Sequence, residues 1–175
     1  LACKRLLPQH RATHEAKVAL VREARALELA KHPAIPALRG VGADAAGPFV
    51  LETLVEGPSL REVKAAWSGK VPLALATHIV GRAARLLGEL HALSDEAGPV
   101  GLVHGDVAPD NLRLGAFGEV GLLDFGHART RAFSPDLETH ALGTAPYLAP
   151  ELVRGEATPT AATDVYALAA TAAWL

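Results

Sequence analysis

Nine consecutive residues constrain this chain more than any other stretch: Val103-His104-Gly105-Asp106-Val107-Ala108-Pro109-Asp110-Asn111. Thirteen positions beyond Asn111 stand Asp124-Phe125-Gly126. Between them, two brief apolar runs, Leu112 to Leu114 and Val120 to Leu123, flank Gly115 to Gly118, the pattern of a β-hairpin. The hairpin brings Asp106, Asn111 and Asp124, three oxygen-bearing side chains, to two neighbouring loop ends. Residues 124–151 then run without clear periodicity. So long a loop inside a compact domain is uncommon and usually functional.

The rest of the chain reads as a scaffold for those loops. Leu1 to Lys4 suits a short strand that leaves into a loop before Pro8. From Thr13 to Lys31, Val18, Leu20, Val21, Ala24, Leu27 and Ala30 recur mostly three or four apart, which predicts a helix. Glu15 near its start and Lys31 near its end complement the helix dipole, and His32-Pro33 ends it. Ile35 to Val41 and Pro48 to Leu51 read as paired strands separated by Gly42 and Gly47, and Gly57-Pro58 breaks the chain. Leu60 to Trp67 is a short helix. Leu73 to Leu93 is a long one, with Leu75, Ile79, Ala83, Leu86, Leu90 and Leu93 on one stripe. Ser94 to Gly101 is a loop, and Val165 to Leu175 is a core helix, too short for the roughly 20 residues that span a bilayer.

Composition narrows the function. The 175 residues carry 17 Lys plus Arg against 19 Asp plus Glu, a net charge of −2, which excludes a strongly basic nucleic-acid binder. With 50% hydrophobic and 21% charged residues, the chain can bury a sizeable core and is not disordered. Cys3 is the only cysteine, so no internal disulfide or multi-cysteine metal site exists; it reads as a small buried hydrophobe. The eight histidines, His140 among them, form no HExxH or short paired spacing and are expected in packing or on the surface. The expectation is a cytoplasmic domain without a nucleic-acid partner or a membrane span in this stretch, whose parent is free to be membrane-tethered. Leu1 in place of an initiator Met and an uncapped Trp174-Leu175 end lead us to expect a partial reading frame.

Taken in order, these residues resemble the catalytic core of protein kinases, specifically the eukaryotic-like serine/threonine type found in bacteria. Lys4 matches the small-lobe lysine, Glu23 its partner on the C-helix, Asp106 and Asn111 the catalytic loop, and Asp124-Phe125-Gly126 the DFG motif. Gly143-Thr144-Ala145-Pro146-Tyr147-Leu148-Ala149-Pro150-Glu151 resembles the end of an activation segment. Asp164-Val165-Tyr166 resembles the start of the large lobe's central helix.

The resemblance implies an α+β, two-lobe kinase-like fold, truncated. Residues 1–175 would form a partial kinase domain, with 1–56 the remainder of the small lobe and hinge and 57–175 the first part of the large lobe. It implies transfer of the γ-phosphate of ATP to Ser/Thr hydroxyls of a protein substrate. Lys4 would hold the α- and β-phosphates, oriented by Glu23, and Asp106 would accept the hydroxyl proton. Asn111 and Asp124 would bind Mg2+, because hard divalent cations choose oxygen ligands. The adenine would lie against Ala2, with the backbone of Thr53 and Val55 supplying hinge hydrogen bonds. Leu27, Leu38, His104 and Phe125 would form the apolar column that joins the lobes.

Several positions depart from the pattern. Gly105 replaces the arginine that receives a phosphorylated activation-loop residue, so that switch is not expected. Thr130, Ser134, Thr139 and Thr144 are then ordinary loop hydroxyls, with Thr144 in the acceptor-side platform. Ala108 replaces a lysine that contacts the γ-phosphate, at a cost of about an order of magnitude or more in rate. Glu52 falls at the gatekeeper position, where we expect it to compete with Glu23 for Lys4. Arg113 falls on the adenine-pocket floor, where its aliphatic stem would cover the base. No glycine-rich loop precedes Lys4. Two rival functions follow: a pseudokinase scaffold, from Ala108, Glu52 and the missing loop, and a small-molecule phosphotransferase, from His104-Gly105-Asp106. Retention of Asp106, Asn111 and Asp124 opposes the first, and the Ala149-Pro150-Glu151 element opposes the second.

Overall fold

In a computed structural model, which describes residues 1–10, 13–67, 70–137 and 143–175, the chain opens with a three-stranded antiparallel sheet. Strand β1 (Ala2–Arg5) and strand β2 (Leu38–Asp44) flank the central β3 (Gly47–Glu52). Lys4 stands opposite Val50 and Ala2 opposite Glu52. Residues that face each other across strands share a sheet face, and successive residues alternate. Ala2, Lys4, Val50 and Glu52 therefore lie on one face. Cys3 points the other way and is exposed, not the buried hydrophobe its composition suggested.

Helix α1 (His14–Leu29) covers the first face, packing Leu20 and Ala24 on Val50 with Leu6 and Leu38 at the margin. Strand β2 begins three residues later than Ile35. Ile35 is itself buried in a turn, its N–H donated to the His32 carbonyl, and Pro36 has no N–H to give a ladder. The strand also continues through Gly42, which lies opposite Phe49. The turn comes at Asp44, whose Oδ1 accepts the Ala46 N–H at 2.8 Å.

The remainder is mainly helical. A capping box formed by Ser59 and Glu62 starts α2 (Leu60–Ala66). Helix α3 (Leu73–His91) buries Ile79, Ala83, Leu86, Leu87 and Leu90. A short α4 (Pro150–Val153) precedes α5 (Ala161–Trp174), which packs on α3 through Ala167 and Leu168. Residues expected as a plain loop contain a minimal ladder, β4 (Ser94–Asp95) with β5 (Gly98–Pro99). The hairpin of β6 (Leu112–Leu114) and β7 (Val120–Leu122) forms where its spacing predicts. Between Asp124 and Glu151 the described residues hold 3-10 turns at Phe125–His127, Pro135–Leu137 and Ala145–Tyr147. Thr139 and His140 lie outside the described residues.

One core joins these parts. Leu27 of α1, Leu102, Leu112, Leu122 and Phe125 are buried together with the α3 stripe, and Leu38 packs against them. No helix among the described residues is long and apolar enough to cross a membrane.

Candidate active site

Lys4 leaves the sheet toward α1. Its Nζ donates to Glu23 Oε1 at 2.6 Å and to Asp124 Oδ1 at 2.8 Å, so residues 120 positions apart meet at one ammonium. Asp124 holds φ 65°, the one left-handed non-glycine among the described residues, and its Oδ1 also accepts the Gly126 N–H at 3.3 Å. Left-handed backbone costs a non-glycine residue about 1–3 kcal/mol, a strain typical of sites whose geometry is fixed by their surroundings. Burial works against the Lys4 ammonium, but Glu23 and Asp124 outweigh it and its pKa is raised. Burial likewise pushes Asp124 up, and the charge and hydrogen bond of Lys4 prevail to hold it low. Glu23 is pushed up to about 7, because burial exceeds the pull of Lys4.

The loop after β5 is shaped from below by a buried carboxylate. Asp164, in the first turn of α5 and 1% exposed, accepts the N–H of His104 at Oδ2 and of Gly105 at Oδ1, both at 2.8 Å. His91, at the end of α3, places Nε2 2.8 Å from the same Oδ2. The His104 ring is fully buried and meets Phe125 edge-on at 4.7 Å. Its Nδ1 accepts the Asp106 N–H at 3.2 Å, which leaves the proton on Nε2 for the Leu123 carbonyl at 3.0 Å. Burial lowers its pKa, so the ring stays neutral.

Asp106 emerges from this frame with both carboxylate oxygens oriented. Asn111 Nδ2 donates to Oδ2 at 2.9 Å and to the Asp106 carbonyl at 2.8 Å. The Thr144 N–H donates to Oδ1 at 2.6 Å. Gly143 makes that approach possible, since a Cβ there would lie 2.6 Å from Oδ1.

The link from β3 to α2 closes the other side. The Thr53 N–H is donated to the Ala37 carbonyl at 3.0 Å, and its hydroxyl accepts the Ala37 N–H at 2.8 Å. The Thr53 carbonyl and the Val55 N–H make no hydrogen bond among the described residues. Glu52 forms no ion pair with Lys4, contrary to the expected competition with Glu23; its Oε2 is shut off from solvent and has no hydrogen-bond partner among the described residues. Burial raises the Glu52 pKa. Arg113 turns its guanidinium to the Gly57 carbonyl and to Glu62, each at 3.3 Å.

The protein kinase domain family matches the chain over residues 1–175. The chain belongs to this family. It is 38% identical over 148 residues to the serine/threonine-protein kinase PknL of Mycobacterium tuberculosis (strain CDC 1551 / Oshkosh), covering 83% of this chain and 35% of PknL. It is 35% identical over 153 residues to the serine/threonine-protein kinase PknB of Mycobacterium leprae, covering 84% of this chain and 23% of PknB. With the serine/threonine-protein kinase PknA of Corynebacterium glutamicum it shares 34% over 121 residues, covering 69% of this chain and 24% of PknA. The chain thus spans about a third or less of the length of these relatives.

Within the kinase domain, the structure brings Lys4, Glu23 and Asp124 together at one point, and Asp106 and Asn111 at another. Ala2 lies on the Lys4 face of the sheet, and Thr53 and Val55 follow β3. The oxygen atoms present fit a divalent cation. Both Asn111 amide hydrogen bonds point at Asp106, which leaves its side-chain oxygen to a cation, and the second Asp124 oxygen takes no hydrogen bond among the described residues. No group of three or more His, Cys, Asp and Glu side chains suited to a metal occurs among the described residues. A magnesium ion here would complete its shell with phosphate oxygens and water, as Mg2+ usually does.

Sequence reasoning missed three contacts. His91 gave no signal beyond its type, Asp164 read only as the start of a helix, and the Thr144 N–H is a backbone group. Ala108, where the kinase pattern carries a lysine, is fully buried in the core.

Proposed function

We propose that this kinase domain transfers the γ-phosphate of ATP to serine or threonine hydroxyls of a protein substrate. The observation that carries the reading is the meeting of Lys4, Glu23 and Asp124 beside a loop that orients Asp106. Phosphoryl transfer leaves the protein little covalent work; it must position reactants and neutralise charge. Glu23 fixes the Lys4 ammonium for the α- and β-phosphates. The acceptor hydroxyl attacks the γ-phosphorus, its proton passes to the Asp106 carboxylate, and the bond to the bridging oxygen breaks to release ADP. Asn111 and Asp124 hold Mg2+, which when bound neutralises phosphate charge. Adenine lies against Ala2, with the Thr53 carbonyl and Val55 N–H at its edge.

We take residues 1–56 as small lobe and hinge and 57–175 as the start of the large lobe. The acceptor class is supported by the relatives, all serine/threonine-protein kinases by name. We assign the domain to the cytoplasm, where a lone exposed thiol stays reduced.

The test follows labelled γ-phosphate from MgATP onto the intact protein and onto a generic protein substrate, with Asp106→Asn as control. Transfer lost in that variant is the expected result. Magnesium-dependent nucleotide binding without transfer would replace this reading with a scaffold.

A further inference from the structure

By volume, Arg22 is the largest fully buried side chain among the described residues, and the proposed chemistry gives it no part. It stands next to Glu23 on α1, turned about 100° round the helix, so the two side chains leave in different directions. Glu23 reaches Lys4. Arg22 shares its stripe with Val18 and Ala26, both buried, and its Nη2 donates to the Leu137 carbonyl.

Leu137 ends the 3-10 turn Pro135–Leu137, and the last carbonyls of a helical turn find no partner within it. A guanidinium does not give up its charge in a protein, and burying a charge is costly unless it is hydrogen-bonded. Arg22 and the turn are therefore bound to keep one relative position. The turn lies in the segment between Asp124 and Glu151, which is tied to the site at three points: Asp124 takes the Lys4 ammonium, Leu137 takes Arg22, and Thr144 gives its N–H to Asp106. The first and third ties involve residues placed in the chemistry. The second ends one position from Glu23. Gly105 has no side chain to reach this segment, and α1 supplies the reach instead.

We infer that Arg22 is a positioning residue for the phosphate site: its hydrogen bond to the 135–137 turn holds α1 where Glu23 meets Lys4. This role rests on the phosphoryl-transfer reading above. The donor-side ammonium and the acceptor-side segment are thereby set together, through an unmodified backbone carbonyl. The Lys4–Glu23 hydrogen bond is 2.6 Å long, so a shift of α1 by about 1 Å carries it past hydrogen-bond range. Misplacement on that scale costs up to about a hundredfold in rate.

The test is a double-mutant cycle on the intact protein, reading single-turnover transfer of labelled γ-phosphate at saturating MgATP in wild type, Arg22→Met, Glu23→Gln and the double variant. Arg22→Met should slow transfer by about tenfold to a hundredfold. With Glu23→Gln already present, it should add less than about twofold, because residues that act as one unit are not additive. An equal loss in both backgrounds would mean that Arg22 supports the fold without acting through Glu23, and would overturn the inference. An unchanged rate in Arg22→Met overturns it as well. If Arg22→Met does not fold, Arg22→Gln takes its place in the cycle under the same criteria: it buries no charge, keeps a polar end and is too short to reach the carbonyl. Absence of transfer by wild type would defeat the phosphoryl-transfer reading itself, and this role with it.

Discussion

Gly105 occupies backbone that side chains avoid. Its φ is 79°, and a Cβ there would stand 2.5 Å from the His127 carbonyl. A side chain at this position would strain the loop. Gly105→Ala should lower stability by about 1–3 kcal/mol, read as a fall in denaturant midpoint at unchanged slope. An unchanged midpoint would mean that the loop relaxes freely. His104 sets a pH limit on the same loop. Burial depresses its folded pKa below the ordinary value of 6.5, so the unfolded chain takes up a proton first. Stability is intact above that value and falls as pH drops below it, by at most about 1.4 kcal/mol per pH unit. The difference between wild type and His104→Phe in chemical denaturation between pH 7 and pH 5 should show this slope, because Glu23, pushed up to about 7 in the fold, adds one of opposite sign to both proteins over the same range.

Among the elements, helices were the most legible in the sequence. The three-to-four periodicity survives because α1 buries Leu20 and Ala24 on the sheet and Leu27 in the main core, and α3 buries its stripe in that same main core. Strand edges were less so: Ile35 looks like strand by hydrophobicity, but Pro36 moves the ladder to Leu38. The two-residue pairing of β4 with β5 left no periodic trace at all. At the site, motif order pointed to Lys4, Glu23 and Asp124, because their side chains do the pairing. The support beneath Asp106 stayed hidden because it runs through backbone N–H groups, which carry no residue signature. Helix α5 delivers part of that support, and its start depends on the Thr160–Thr163 capping box. Thr160→Ala should cost about 1 kcal/mol of stability and lower the thermal midpoint by a few degrees. An unaltered midpoint would show that packing on α3 alone fixes α5.

For the molecule as a whole, Phe125 joins what lies on either side of the site. It is fully buried, touches His104, and belongs to the same core as Leu27 of α1 and Leu102. Phe125→Ala should cost about 3–5 kcal/mol, measured by denaturant unfolding. MgATP should raise the melting temperature of wild type, since a ligand that binds only the folded state stabilises it. Lys4→Met should abolish most of that rise, and a full rise in the variant would remove Lys4 from the phosphate site. The Asp164 carboxylate also orders events in time. It lies 60 residues downstream of the His104 amide it holds. Synthesis proceeds from the N-terminus at about 5–20 residues per second. Asp106 and Asn111 therefore leave the ribosome seconds before the group that gives their loop its shape. A nascent chain halted before α5 carries every residue of the kinase motif up to Asp124 and still has no seat for the loop that leads into Asp106.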